Sequence, residues 1–314
     1  MITVNRLTSQ KNYPLSALSS RQAIKRLIQM LWLTATLALI SFFSAAQKPN
    51  PAPVSPKDWS KDYKPFRICG NLYYVGTYDL ACYLITTPQG HILINTGLPG
   101  SVNMIRTHVQ ALGFKFSDIK ILLATHAHFD HVGGMAEIKK ITGAKMMIEE
   151  KDAQALADGG NSDYVLGGKG SMFQPVQADV LLHDKDTVKW GGMQIVVLHH
   201  PGHTEGACSF LFDVKDEQRS WRVLIANMPT ILEETKLSGM PAYPDVAKDY
   251  AYTLVAMKKL KFDIWLSSHA SQFGLHKKHR PGDSYNPGAF SDQQGYDLMI
   301  GGLQKEYLKK LGKK

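Results

Sequence analysis

The sequence predicts an α/β protein built as a four-layer αβ/βα sandwich, with two packed β-sheets and helices outside. Three observations carry this prediction. Short apolar runs bounded by turn residues fall into two groups, one from Leu72 to Ile148 and one from Val180 to Ser267. Each group is joined by segments of helical periodicity rather than by further strands. With 314 residues, 44% of them hydrophobic, the chain is long enough to bury a substantial core, and no segment repeats at a fixed period.

The first 46 residues differ from the rest. They carry Arg6, Lys11, Arg21, Lys25 and Arg26 and no Asp or Glu. An apolar stretch, Leu27 to Phe43, follows, interrupted only by Gln29, Thr34, Thr36 and Ser41, and Ser44-Ala45-Ala46 supplies small residues after it. This is the pattern of a signal peptide, residues 1–46, cut after Ala46, which sends the protein to the periplasm with no stable membrane anchor. The competing reading is a single anchoring helix, because about 17 apolar residues is near the lower limit for a span. No Cys follows the apolar run, so lipid attachment there is not expected. Residues 47–64 contain Pro49, Pro51, Pro53 and Pro56 and read as a flexible lead-in to a domain spanning 65–314.

Within that domain, Leu72–Val75, Ala81–Thr86 and His91–Ile94 read as a β-meander, with Gln89-Gly90 as a hairpin turn. A helix over Ser101–Leu112 places Met104, Ile105, His108, Val109 and Leu112 on one face. Ile119–Ala124 is apolar apart from Lys120 and suits a buried strand. Val132–Thr142 reads as a helix, Met146–Ile148 as a strand and Lys151–Leu156 as a short helix, before a Gly-rich loop from Gly159 to Gly170. The second half begins near Val180. It offers strands at Val188–Trp190, Met193–Leu198, Ala207–Phe212 and Arg222–Ala226, then a helix over Val246–Leu260, a strand at Ile264–Ser267 and a last helix over Ser291–Leu311.

With 44% hydrophobic and 20% charged residues, the composition suggests neither disorder nor a fibrous repeat. The formal charge of +9 falls to +4 without the leader, and no run of like charges stands out beyond the Lys-rich C-terminal end. A nucleic-acid partner therefore finds no support. Cys69, Cys82 and Cys208 form no Cys-x-x-Cys pair, which argues against thiol redox chemistry. Export permits a disulfide, and Cys69 and Cys82 lie on adjacent strand-like segments, but sequence does not set connectivity.

The chemistry is concentrated in Thr125-His126-Ala127-His128-Phe129-Asp130-His131. Three imidazoles and a carboxylate fall within six residues, where a buried strand ends and a helix is predicted. Imidazole and carboxylate are the ligands of catalytic zinc, which keeps an open position for water. In an extended segment residues two apart point the same way, so His126 and His128 can chelate one ion while Asp130 and His131 face another. Two closed sites need about six ligands, so distant residues must contribute. His203, in His199-His200-Pro201-Gly202-His203-Thr204, and His269, in Ser267-Ser268-His269-Ala270, also stand just past apolar strands.

From about Asp58 to Lys310 the chain resembles the metallo-β-lactamase superfamily, whose H-x-H-x-D-H motif is matched by His126, His128, Asp130 and His131. Within it, the chain resembles subclass B3 and especially its GOB-type branch. The supporting segments are Phe66-Arg67-Ile68, Gly70 to Asp79, His199 to Thr204, Leu224-Ile225-Ala226-Asn227-Met228-Pro229 and Ser268-His269-Ala270-Ser271-Gln272-Phe273. The resemblance implies the metallo-β-lactamase fold and two Zn2+ ions. One would be held by His126, His128 and His203, the other by Asp130, His131 and His269. It also implies hydrolysis of the β-lactam amide in penicillins, cephalosporins and carbapenems, hence antibiotic resistance, by a monomer acting on a small molecule. Zinc lowers the pKa of bound water from about 15.7 to about 7, so no serine nucleophile is needed, and Asp130 would orient the attacking water. Asn95, where many relatives have Asp, would support the motif from behind. Thr230 is the candidate for a hydrogen bond to the substrate carboxylate, and Tyr164 for covering the site from the Gly-rich loop.

Two features depart from common patterns. GOB-type enzymes often have Gln at the first ligand position, where this chain has His126. Much of the superfamily bridges its metals with an Asp at the position of Met228, which cannot bridge. The second departure favours a lactamase over the glyoxalase- and lactonase-like relatives. The alternatives are another hydrolase on this fold, acting on a lactone, thioester or phosphodiester, or a zinc-binding scaffold without turnover. Ser117-Asp118-Ile119-Lys120 fits the S-x-x-K pattern of serine β-lactamases, but the companion motifs are absent and it precedes a strand. His108, His183, His276 and His279 have no ligand partners at useful spacing, and His199 and His200 lie near the metals without being assigned to them.

Overall fold

The computed structural model describes residues 55–313, so the predicted signal peptide and its cleavage point lie outside the described residues. Strands β1 (Phe66–Cys69), β2 (Leu72–Tyr74), β3 (Tyr83–Ile85), β4 (His91–Ile94), β5 (Ile119–Leu123), β6 (Lys145–Glu149) and β7 (Val180–Leu182) form a seven-stranded sheet in chain order. The first four pair antiparallel, and β4 to β7 run parallel. A five-stranded sheet follows in the order β12 (Ile264–Ser267), β11 (Ser220–Ala226), β10 (Cys208–Lys215), β9 (Met193–His199), β8 (Thr187–Trp190). Its strands are antiparallel except for the parallel β11–β12 pair.

The period of two along each strand sorts residues between layers. In β4, Ile92 and Ile94 join a core cluster that includes Ile195, Val197, Phe210 and Ile225 of the other sheet. Leu93 between them joins a separate cluster with Val102, Ile105 and Val109 of helix α1 (Val102–Ala111). All four β4 residues are buried because both faces are covered. On the far side, α5 (Val246–Met257) and α7 (Gln293–Lys310) contribute Leu254, Met257, Tyr296 and Ile300 to the cluster that contains the second sheet. The predicted sandwich is therefore the observed one.

Two expectations are corrected. Val180 does not open the second half: β7 closes the first sheet, parallel to β6. The helix expected over Val132–Thr142 is two, α2 (Phe129–Val132) and α3 (Met135–Thr142). The residue at the break must be glycine, since a Cβ at position 133 would meet Pro99 N at 2.2 Å and the Leu98 carbonyl carbon at 2.4 Å. Of the expected lead-in, residues 55–64 are described: Lys57–Trp59 form a 3-10 turn and Tyr63 is buried. The three cysteines are free and buried, with Cys69 and Cys208 in the inter-sheet core and Cys82 in the outer one, so the Cys69–Cys82 pairing does not occur. Strand β1 and the short helices α4 (Ala153–Ala157) and α6 (Leu275–Lys278) were not separately predicted.

Candidate metal centre

The predicted ligand loops follow the C-terminal ends of β5, β9 and β12, and the β11 loop joins them there. Within each sheet these strands run in one direction, and open α/β sheets place ligands at such ends. The loops are tied across the sandwich by backbone bonds, Cys208 N to Thr125 O at 2.9 Å and Ala270 N to Asp79 O at 2.6 Å. The chain bends at Thr125 and His126 after β5, His128 is extended, and α2 begins directly after it, which turns Asp130 and His131 toward the two imidazoles.

Buried polar groups hold this loop in place. Thr125 N donates to Asn95 Oδ1 at 3.0 Å, and Asn95 adopts φ +60°, a left-handed conformation that Asn tolerates better than most residues. Asp152 accepts from Ala127 N at 2.7 Å, from Thr204 Oγ1 at 2.8 Å and from Gly206 N at 2.7 Å, so one carboxylate fastens the His126 loop to the His203 loop. A Cβ at Gly206 would meet Asp152 N at 2.4 Å, so only glycine allows this approach.

The six predicted ligands do come together. Potential ligand atoms of His126, His128 and His203 lie within 4.8 Å of one another, as do those of His126, Asp130 and His131. Around Asp130 Oδ2 stand His131 Nε2 at 3.1 Å and His269 Nε2 at 3.4 Å. His126 thus lies between two groupings, whereas the resemblance assigns it to the first. Its ring centroid lies 4.7 Å from those of His128 and His203 and 4.4 Å from that of His131, so ring distances do not choose between the groupings. His269 joins the second group through Asp130.

The outward ring nitrogens are engaged. His203 Nδ1 donates to the Thr230 carbonyl at 2.8 Å, His128 Nε2 to Asp163 Oδ2 at 3.1 Å and His269 Nδ1 to Asp79 Oδ2 at 3.1 Å. That leaves His203 Nε2, His128 Nδ1 and His269 Nε2 for the centre. His126 Nε2 is buried with no hydrogen-bond partner. An unsatisfied buried acceptor is costly, and a cation at this point would remove the cost. The states of His126, His203 and Asp130 also fit a metal. Burial and the neighbouring imidazoles push His126 well below its ordinary value, and burial with His128 pushes His203 down to about 3, so both remain neutral ligands. Burial raises Asp130, but His131 and His269 outweigh it and hold the carboxylate ionised. Against the effect of burial, hydrogen bonds to Asp130 and Asp79 push His269 up to about 9 and Asp163 raises His128, so a metal would have to displace a proton from these two rings.

Over this cluster opens a cleft of about 330 Å³, with Trp59, Phe129, Leu166, Met228 and Leu232 as apolar walls and Thr230, Asn227, Ser268 and Gln272 as polar ones. The Trp59 ring sits 5.3 Å from that of His269, and its Nε1 donates to Asp79 at 3.1 Å.

A solved class B3 di-zinc metallo-β-lactamase, LRA-12 from an Alaskan soil metagenome, is 65% identical with a TM-score of 0.82, covering 83% of this chain and 100% of that one. The chain belongs to the class B3 metallo-β-lactamases. A β-lactamase from Chitinophaga pinensis is 66% identical (TM-score 0.82; 83% and 98% covered), and GOB-18 from Elizabethkingia meningoseptica 51% (TM-score 0.84; 85% and 99%). The family model of the metallo-β-lactamase superfamily matches residues 77–216. Curated relatives match over shorter stretches. The acyl-coenzyme A thioesterase MBLAC2 of Homo sapiens is 31% identical over 102 residues, 28% of this chain and 35% of that protein.

As a B3 chain it has several distinctive positions. Met228 is buried at the cleft wall, where it supplies no carboxylate. Thr230 lines the cleft, with its hydroxyl 3.2 Å from His203 Nδ1. Asn95 touches Thr125 and Ser268 beneath the cleft. Tyr164 is not brought to the cleft. Its hydroxyl donates to Gly202 O at 3.0 Å and its ring lines a neighbouring cavity with Asp152 and Tyr243, so the Gly-rich loop is pinned by Tyr164 and reaches the metal cleft through Leu166. Sequence reasoning missed Asp163, Asp79, Asp152 and Trp59. Asp163 is adjacent to the Tyr164 that was singled out, and Asp79 ends a segment that carries the resemblance, but neither has a spacing signal of its own.

Proposed function

We propose that the chain hydrolyses the β-lactam amide of penicillins, cephalosporins and carbapenems with two zinc ions, and so confers resistance to these antibiotics. The observation that carries this is the meeting of six candidate ligands from three distant stretches at the base of one cleft. The di-zinc class B3 relative, matched over its whole length, supports both the cofactor and the substrate.

Bound zinc supplies hydroxide at neutral pH and polarises a carbonyl oxygen. His126, His128 and His203 would hold one ion, and Asp130, His131 and His269 the other. The ionised Asp130 faces the space between the two groups and orients the attacking water. Trp59, Phe129 and Leu232 exclude solvent from the bound lactam, which strengthens every charge interaction in the cleft. Thr230 presents its hydroxyl to the substrate carboxylate. The basic leader and the small residues before Ala46 support export to the periplasm and cleavage there. No described helix is long and apolar enough to cross a membrane. We expect the mature chain to act as a monomer.

A lactone or thioester hydrolase is the competing reading, supported by the partial match to a thioesterase. Met228 in place of a carboxylate favours the lactamase. The test assays purified residues 47–314 on penicillin, cephalosporin, carbapenem, lactone and thioester substrates, before and after EDTA. Turnover of the β-lactams, abolished by EDTA and restored by zinc, is expected. Turnover of the lactone or thioester alone would overturn the substrate assignment, and full activity without zinc would overturn the mechanism.

A further inference from the structure

We infer that Asp163 and Asp79 are positioning residues, one for each metal site, which hold His128 and His269 in the tautomers that leave a lone pair facing the metal. This rests on the zinc reading above. Among the described residues, these two are the candidate ligand imidazoles whose outer nitrogen meets a carboxylate: His128 Nε2 to Asp163 Oδ2 and His269 Nδ1 to Asp79 Oδ2, both at 3.1 Å. They fall in different groups, His128 with His126 and His203, His269 with Asp130 and His131. The outer partners engage opposite nitrogens, so the two carboxylates select opposite tautomers, with Nδ1 of His128 and Nε2 of His269, the latter 3.4 Å from Asp130 Oδ2, turned to the centre.

Each carboxylate is itself held. Asp163 Oδ1 accepts from Val165 N at 2.9 Å and Leu166 N at 2.7 Å, which leaves Oδ2 for His128. Asp163 and His128 are both deeply buried, so water does not offer an equivalent acceptor. Asp79 Oδ1 accepts from Ser271 N at 2.8 Å, while Oδ2 accepts from His269 and from Trp59 Nε1. At Asp79, Oδ2 holds two donors and Oδ1 one, so an Asn there would keep its oxygen on His269, and Asp79→Ala is the change that removes the acceptor. Replacing Asp163 by Asn has a defined consequence. The amide oxygen must stay on the Val165 and Leu166 N–H groups, so the NH2 turns to the imidazole. A donor there forces the ring proton onto the metal-facing nitrogen and blocks it. Outer partners of ligand imidazoles typically govern about 10- to 100-fold in metal affinity.

The experiment compares the purified protein with Asp163→Asn and Asp79→Ala. Zinc affinity of each site is read by competition with a chromophoric chelator, and the occupied site is identified from the absorption spectrum of the Co2+-loaded protein. Asp163→Asn is expected to lose about 10- to 100-fold at the His128 site alone, and Asp79→Ala the same at the His269 site alone. Equal loss at both sites in either variant, or no loss in both, overturns the inference. Should a variant not fold, nitrogen-detected NMR of the unsubstituted zinc-loaded protein decides. The ring proton must reside on His128 Nε2 and His269 Nδ1, and a proton on the other nitrogen of either ring overturns the assignment. If the unsubstituted protein takes up no zinc, the zinc reading itself fails, an outcome distinct from those above.

Discussion

His200 shows how one buried side chain links the site to pH. Its Nδ1 lies 2.7 Å from Ser209 Oγ, it is buried, and desolvation together with the neighbouring His199 lowers its pKa to about 4. A group whose pKa is depressed on folding stabilises the fold fully above its unfolded value of 6.5, and that stability is lost as pH falls toward 4. The loss from this residue is of order 3 kcal/mol. His200→Gln should therefore flatten the decline in stability of the zinc-free protein between pH 6.5 and 4, measured by urea unfolding across that range. An unchanged slope would mean that His200 is not the group that resists protonation. At this scale the sequence was most informative where ligand types were dense. His126, His128, Asp130 and His131 announce themselves because so many metal-binding groups in so few positions have no other common use. Asp152, Asp163 and Asp79 do not, because a lone Asp in a loop acquires meaning only from what faces it.

Among the elements, the short helix α2 decides the geometry, since it carries Asp130 and His131 and must stop at Gly133. Its end is fixed by Thr96, whose N–H donates to His131 O at 2.7 Å, and by Gly133 N donating to Gly97 O at 3.0 Å. Gly133→Ala would press a methyl group onto the Leu98–Pro99 backbone, which cannot yield as a flexible side chain could. Overpacking of this kind costs about 1–3 kcal/mol. A lowered melting temperature together with weaker zinc binding is expected, from calorimetry and metal titration. Normal zinc affinity would show that α2 can shift without moving its ligands. The periodicity of Val132–Thr142 looked continuous because glycine does not erase an apolar pattern, so the break is invisible until the neighbouring loop is in place. β7 was misassigned for a related reason: three residues cannot say which sheet they will join.

For the whole molecule, the centre acts as a clasp. Its ligand loops come from both sheets, so a metal that binds them together binds only the folded chain. Such binding raises stability by about 2.7 kcal/mol for each site at a metal concentration 100 times Kd. Removing zinc should lower the melting temperature by several degrees, and restoring it should reverse the change. Equal melting with and without zinc would mean that the loops are assembled by packing alone.

The sequence by itself determined the layers and the kind of chemistry. Strand and helix periods are local, and so is the crowding of imidazoles after β5. The resemblance added His203 and His269 as partners. Tertiary structure alone decided which nitrogen of each imidazole is free, that Trp59 covers the cleft while Tyr164 does not, and that the cysteines stay apart. These depend on distances between residues far apart in the chain, such as Asp79 and His269, and such distances exist only once the two sheets have packed.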